Sequence, residues 1–183
     1  ISAYTRLTGT PELPPLWALG YHQSKWSYYP DKAVYNLVER FRGLGIPCDA
    51  VHLDHHYMER KEGFTWDKQN FPDAEGMVRA LEKDGVKTVL IVNPGVKVNS
   101  ANPVWKEGME RNYFCRRSEG NLLSEEVWPG LCNFPDFTAP AVRGWWADLF
   151  SRDIGKIGVR GLWNDMNEPV VFPDRTFPME IGR

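Results

Sequence analysis

Lys87-Thr88-Val89-Leu90-Ile91-Val92 carries an unbroken β-branched and aliphatic core, Thr88 to Val92, set between Gly85 and the breakers Asn93-Pro94-Gly95. A strand with one wet face alternates apolar and polar residues. This one does not alternate, so it reads as a strand covered on both faces, as in a parallel sheet. Working outward, Ala50 to Asp54 before it and Val159 to Asn164 after it read the same way. The apolar stretch Leu16 to Tyr21, which follows Pro14-Pro15, is the candidate first strand.

Amphipathic helices fill the intervals. Asp31 to Leu44 places Val34, Leu37, Val38 and Phe41 at helical spacing, with Asp31 as N-cap and Gly43 and Gly45 closing it. Pro72 to Gly85 carries Met77, Val78 and Leu81, and Trp105 to Arg111 predicts a short helix. Thr138 to Lys156 predicts a long one, capped by Thr138, with Pro140 in its first turn and Val142, Trp145, Trp146, Leu149 and Phe150 on its apolar face. Tyr113 to Trp128, with Gly120-Asn121 at its middle, reads as a hairpin excursion. Strands alternating with helices call for an α/β fold with a parallel sheet and right-handed crossovers. The glycine-rich turn of a dinucleotide fold is missing, because Gly43-Leu44-Gly45 ends a helix instead of joining a strand to one. That favours a (β/α)8 TIM barrel, which takes about 250 residues when complete. At 183 residues and four strands the chain reads as the first half, about four β/α units. Residues 1–15 are then a lead-in from an upstream domain, and 16–183 a partial catalytic domain with the excursion near 113–128.

Charge and composition narrow the function. Lys plus Arg total 22 against 24 Asp plus Glu, a net −2, so no nucleic-acid partner is expected. No apolar run approaches the roughly 18 residues of a membrane span, and no basic-then-apolar leader opens the chain. Cys48, Cys115 and Cys132 are odd in number and widely spaced, which fits free thiols better than a disulfide framework or a metal knuckle. Both points lean toward a cytoplasmic setting. Ile1 opens the chain without a Met, as in a segment of something longer. Aromatic residues reach 13%, more than a small core needs and suited to flat-faced ligands.

In parallel α/β folds the reactive groups gather at the carboxyl ends of strands. The four ends here are Tyr21-His22-Gln23-Ser24-Lys25-Trp26, Asp54-His55-His56-Tyr57, Asn93-Pro94-Gly95 and Asn164-Asp165-Met166-Asn167-Glu168-Pro169. Asp165 follows Gly161-Leu162-Trp163 directly, and Asp54 ends its strand in the same way. A helix N-cap would explain the first and a turn the second. Two rim carboxylates with Trp26, Trp128 and Trp163 as stacking walls also describe a site for a polyhydroxylated ring. A rival reading is a metal-dependent barrel hydrolase, since His52, Asp54 and His56 share one strand face by the period-two rule. It lacks further ligands from other strands, the remaining histidines being His55 on the same loop and His22. No metal or other cofactor is therefore expected.

The string Gly161-Leu162-Trp163-Asn164-Asp165-Met166-Asn167-Glu168-Pro169 resembles the nucleophile signature of glycoside hydrolase family 31, the α-glucosidase and α-xylosidase family. Three further segments agree in order and spacing: Leu16-Trp17-Ala18-Leu19-Gly20; Leu53-Asp54-His55-His56-Tyr57-Met58 followed by Phe64-Thr65-Trp66-Asp67; and Val127-Trp128-Pro129-Gly130. The similarity runs from about Pro14 to Pro169. It implies a (β/α)8 barrel, of which this chain would be the first half, with a β-sandwich before it and further β domains after it expected outside the chain.

By matching position, the resemblance makes Asp165 the nucleophile of a retaining mechanism that forms a covalent glycosyl-enzyme. Asp54 would hold sugar hydroxyls, with His55 beside it where the family often has an aliphatic residue. Trp26, Ile91, Trp128, Trp163 and Met166 match walls of that subsite, and Glu168 matches a carboxylate that positions its neighbours. Lys25 stands where many members have Arg, and Asn93-Pro94 where Asp-Pro is common. The general acid/base comes from a later strand, beyond Arg183. The implied substrate is an oligosaccharide or α-glucoside cleaved at its terminal non-reducing bond. The alternatives are an α-xylosidase and a non-catalytic sugar-binding fragment. A half barrel lacking its remainder is also expected to self-associate.

Overall fold

The computed structural model describes residues 2–168; Pro169 and the rest of the predicted partial barrel up to Arg183 lie outside the described residues. Four strands form one all-parallel sheet: β1 (His22–Gln23), β2 (Ala50–Leu53), β3 (Lys87–Val92) and, last in the chain, a strand at Gly161–Asn164. Their spatial order is their chain order, without reversal. A doubly wound sheet reverses at a switch point, whereas a barrel wall is laid down strand by strand. In β3 every residue from Thr88 to Val92 is buried, as its unbroken apolar run requires.

Helix α1 (Ser2–Thr8) precedes β1 and buries nothing, while α2 (Asp31–Gly43) and α3 (Ala74–Lys83), which follow β1 and β2, pack on the sheet. Val34 and Val38 of α2 and Met77, Val78 and Leu81 of α3 join Val51, Leu53, Leu90 and Val92 in the main core. A second core lies beneath α4 (Pro103–Glu110) and α5 (Pro140–Leu149), built on Val96, Val104, Phe114, Val142, Trp145 and Leu149. Between them β4 (Val96–Lys97), β5 (Ser124–Val127) and β6 (Gly130–Asn133) make a small antiparallel sheet of order β4-β6-β5. The strand at Gly161–Asn164 is thus β7.

Several expectations are corrected. Leu16–Leu19 is a single 3₁₀ turn, and the first strand begins only at His22. The Asp49 carboxylate takes the Tyr21 N–H at 3.0 Å, in the place where a longer strand would have paired backbone to backbone. Pro30, not Asp31, occupies the N-cap of α2, and Asp31 is the first helical residue, its carboxylate accepting from the Lys32 N–H at 2.6 Å. Asp73 caps α3, so that helix starts two residues after Pro72. The predicted helix from Thr138 is broken: Thr138 donates to Asp136, α5 starts at Pro140, and beyond Leu149 the chain passes through a π turn and a 3₁₀ turn to Gly158 at φ +99°. The excursion holds two hairpins. Arg116 pairs antiparallel with Leu122 across the Gly120-Asn121 turn, where the sequence places it, and Val127 pairs with Gly130 around a second loop at Trp128-Pro129 that the sequence reading did not foresee.

Candidate active site

Register puts His52, Val89 and Gly161 in one row across the sheet, and Ile91 and Trp163 in a row two residues nearer the carboxyl ends. Asp54 follows Leu53 and falls in the second row; Asp165 lies two residues past Trp163 and so projects to the same face. The two carboxylates reach one rim from different strands.

Asp54 is buried, and its Oδ1 accepts the His55 backbone N–H at 2.7 Å, capping the 3₁₀ turn His55–Tyr57. The turn-forming role is therefore real, but it uses one oxygen. Tyr57 locks the turn onto the sheet by donating its phenol to the Ile91 carbonyl at 2.8 Å. His55, 2% exposed, brings Nδ1 to 2.7 Å from the same Asp54 Oδ1. That approach is close but off-line: Nδ1 has no aligned hydrogen-bond partner, so the attraction is chiefly electrostatic. On the far side of the ring Asn93 Nδ2 lies 2.9 Å from His55 Nε2 and 3.6 Å from Met166 Sδ. Burial holds the His55 imidazole below its ordinary range, with the Asp54 carboxylate and more weakly Asp165 pulling the other way and Lys61 adding to the depression. Met166, the residue after Asp165, has φ +58°, a strained backbone for a side chain of its length.

An aromatic wall adjoins this cluster. Trp26 and Trp128 are 53% and 44% exposed, with ring centroids 5.5 Å apart, and His55 lies 5.4 Å from Trp26 and 6.3 Å from Trp128. Exposed indole faces beside buried polar groups suit the apolar face of a sugar. His56 stacks flat on Tyr29 at 4.5 Å and meets Trp26 edge-on. The Lys61 ammonium sits 5.9 Å from the Trp26 ring and 5.5 Å from the Trp128 ring. Its loop, with Arg60, Lys61 and Phe64 at positive φ, is tied down by buried Glu62, which accepts from Asn99 at 3.1 Å and Asn102 at 2.8 Å.

The remaining expected site residues differ in how far they reach the rim. Ile91 is wholly enclosed in the core, and Trp163 is half-buried with its ring 6.3 Å from His52. Glu168 is exposed and borders an open cavity of about 300 Å³ with Pro94, Phe134 and Phe137, lined by none of Asp54, Trp26, Trp128 or Asp165. The His52, Asp54 and His56 set does not converge. His52 Nε2 faces His22 Nδ1 at 3.0 Å, His22 Nε2 faces the Trp17 carbonyl at 3.1 Å, and His56 is taken up by Tyr29. Among the described residues no three His, Cys, Asp or Glu side chains are placed to hold a metal ion. The sequence reading missed Lys61 and Tyr29, which carry no local signal, and noted Asn93 only as a departure at a strand end.

The model of the glycosyl hydrolases family 31 TIM-barrel domain matches residues 11–182. Alpha-glucosidase 2 of Bacillus thermoamyloliquefaciens is 44% identical over 99% of this chain and 23% of its own length. Human neutral alpha-glucosidase AB is 40% identical over 92% of this chain and 18% of its own. The crystal structure of a glucosidase II alpha subunit with bound alpha3-Glc2 superposes with a TM-score of 0.88 at 37% identity, covering 93% of this chain and 19% of that one. The chain spans about a fifth of the length of the curated relatives it matches.

Proposed function

The chain belongs to glycosyl hydrolase family 31, and from that premise we propose that the protein carrying it is a retaining α-glucosidase acting on terminal non-reducing α-glucosidic bonds of an oligosaccharide or α-glucoside. The observation that carries the reading is the position of Asp165, at the carboxyl end of β7 on the sheet face where Asp54 also emerges. Its carboxylate attacks the anomeric carbon, the bond to the leaving oxygen breaks, and a glycosyl ester on Asp165 results. Water or a second sugar then resolves that ester. Asp54 accepts hydrogen bonds from ring hydroxyls through its second oxygen, and Trp26 and Trp128 cover the apolar ring face. Met166 and Trp163 flank the nucleophile, Ile91 supports it from the core, and Glu168 acts on its neighbours. A retaining pair of carboxyls lies about 5 to 5.5 Å apart, and the acid that protonates the leaving oxygen is assigned to a later barrel strand.

Glucosidase is preferred to xylosidase because the similar proteins named above are glucosidases. The test follows the product of an aryl α-glucoside by proton NMR in the intact protein. The reading expects α-glucose to appear first, faster hydrolysis of the α-glucoside than of the α-xyloside, and no loss after exhaustive chelation. Initial release of β-glucose, or activity lost on chelation and restored by a divalent metal, would contradict it.

A further inference from the structure

Asn93 stands between His55 on one strand end and Met166 on another, and the chemistry of the sulfur decides how it stands. A thioether carries lone pairs and no proton, so it accepts hydrogen bonds only. The group that Asn93 turns to Met166 Sδ, 3.6 Å away, is therefore its NH₂. The same nitrogen lies 2.9 Å from His55 Nε2, which must then be the unprotonated nitrogen of the ring. A neutral imidazole with a bare Nε2 carries its proton on Nδ1, the atom that faces Asp54 Oδ1 at 2.7 Å. That oxygen already holds the His55 backbone N–H, and the off-line Nδ1–H adds an electrostatic pull on it from a second direction. Oδ2 has no hydrogen bond among the described residues and is left for a ligand.

We propose that His55 is a positioning residue: Asn93 locks its imidazole in the neutral, Nδ1-protonated form, which aims the Asp54 carboxylate at the sugar and keeps positive charge out of the wall of the site. The proposal rests on the glycosidase reading above and adds to it a role for two side chains. An uncharged ring matters because the transition state of glycoside cleavage is oxocarbenium-like and positively charged, so an imidazolium in the wall opposes it. The charged groups that act on the ring are Asp54, Lys61 and Asp165, and the Trp26 and Trp128 rings border it. Burial favours the neutral ring, and an amide at Nε2, unlike a carboxylate, does not reverse that preference.

The test uses the intact protein with three variants, His55→Leu, His55→Asn and Asn93→Asp, and reads both kinetics and the ring-nitrogen NMR shifts of His55. In the wild type the shifts should show Nδ1 protonated and Nε2 bare, with no titration near the ordinary histidine range of about 6.5. Asn93→Asp puts a carboxylate at Nε2. The ring should then charge within the working pH range, and kcat should fall about tenfold on the acid side and recover as pH rises. His55→Leu should raise KM about tenfold with no such pH step, and His55→Asn, which keeps a donor near the Nδ1 position, should recover part of it. An Nε2-protonated ring in the wild type, or an Asn93→Asp profile parallel to wild type, would overturn the proposal. Asp165→Asn runs alongside: if it remains active the glycosidase reading fails, and the nitrogen shifts alone then decide the state of His55.

Discussion

The Asp54 carboxylate is divided between the fold and a ligand: Oδ1 caps the turn that follows β2, while Oδ2 has no hydrogen bond among the described residues. Two substitutions separate the uses. Asp54→Asn keeps an oxygen for the cap, so its melting temperature should stay near wild type while kcat/KM drops roughly 10- to 100-fold, for loss of a charged hydrogen-bond acceptor. Asp54→Ala should lose the same activity and a further ~1 kcal/mol of stability with the cap. Equal melting temperatures for the two variants would show that the cap carries nothing. Asp54 and Asp165 were legible in the sequence because each closes an apolar run, where the period of the strand fixes the face. Lys61 was not legible, since its place above two indoles depends on a loop whose backbone turns at Arg60 and Lys61 through positive φ.

At the scale of elements, the excursion that carries Trp128 is held against α4 by a missing side chain. A Cβ on Gly108 would come within 2.5 Å and 2.7 Å of two ring carbons of Phe114, and nearby Trp105 Nε1 donates to Asn133 Oδ1 of β6 at 2.9 Å. Gly108→Ala should therefore cost about 1–3 kcal/mol by overpacking, and it should weaken sugar binding as the hairpin shifts, read as a raised KM alongside a lowered melting temperature. An unchanged KM would detach the hairpin from the site. Regular elements read well from the sequence where one physical signal decided them, as in β3, where Thr88 to Val92 are β-branched or aliphatic throughout and all buried. Turns read unevenly. Gly120-Asn121 does turn a short hairpin, with Arg116 paired to Leu122 across it, whereas the loop at Trp128-Pro129, set by the register of Val127 with Gly130, lacks that turn chemistry and was not legible. Leu16–Leu19 looked like a strand on composition alone, whereas Leu16 and Leu19 are exposed and the backbone bonds of the segment are local.

Across the whole molecule, the four-stranded sheet pairs β1 and β7 on one side only among the described residues, and Leu44, Ile46 and Leu162 are exposed near those edges. Unpaired edges and apolar faces recruit partners, so the 183-residue chain expressed by itself should sediment as an associated species and show no turnover of an aryl α-glucoside. A stable, active monomer would refute this. The buried thiols set an alkaline limit: burial pushes Cys115 up to about 11 and Cys132 up to about 12, and raises Tyr57 as well. The unfolded chain loses these protons first, from about pH 8.5 for the thiols. Stability should thus fall as pH rises from there toward the folded values, by about 1.4 kcal/mol per thiol per unit, and an alkaline unfolding curve that stays flat to pH 11 would contradict it. The central claim is that Asp165 attacks the sugar. It is tested most directly by incubating the intact protein with a fluorinated α-glucosyl donor that traps the covalent intermediate, then mapping the modified peptide by mass spectrometry. The account predicts one glucosyl adduct on Asp165, absent in Asp165→Asn together with a loss of turnover of roughly 10³-fold or more; an adduct on another carboxylate, or near-normal turnover in that variant, would contradict it.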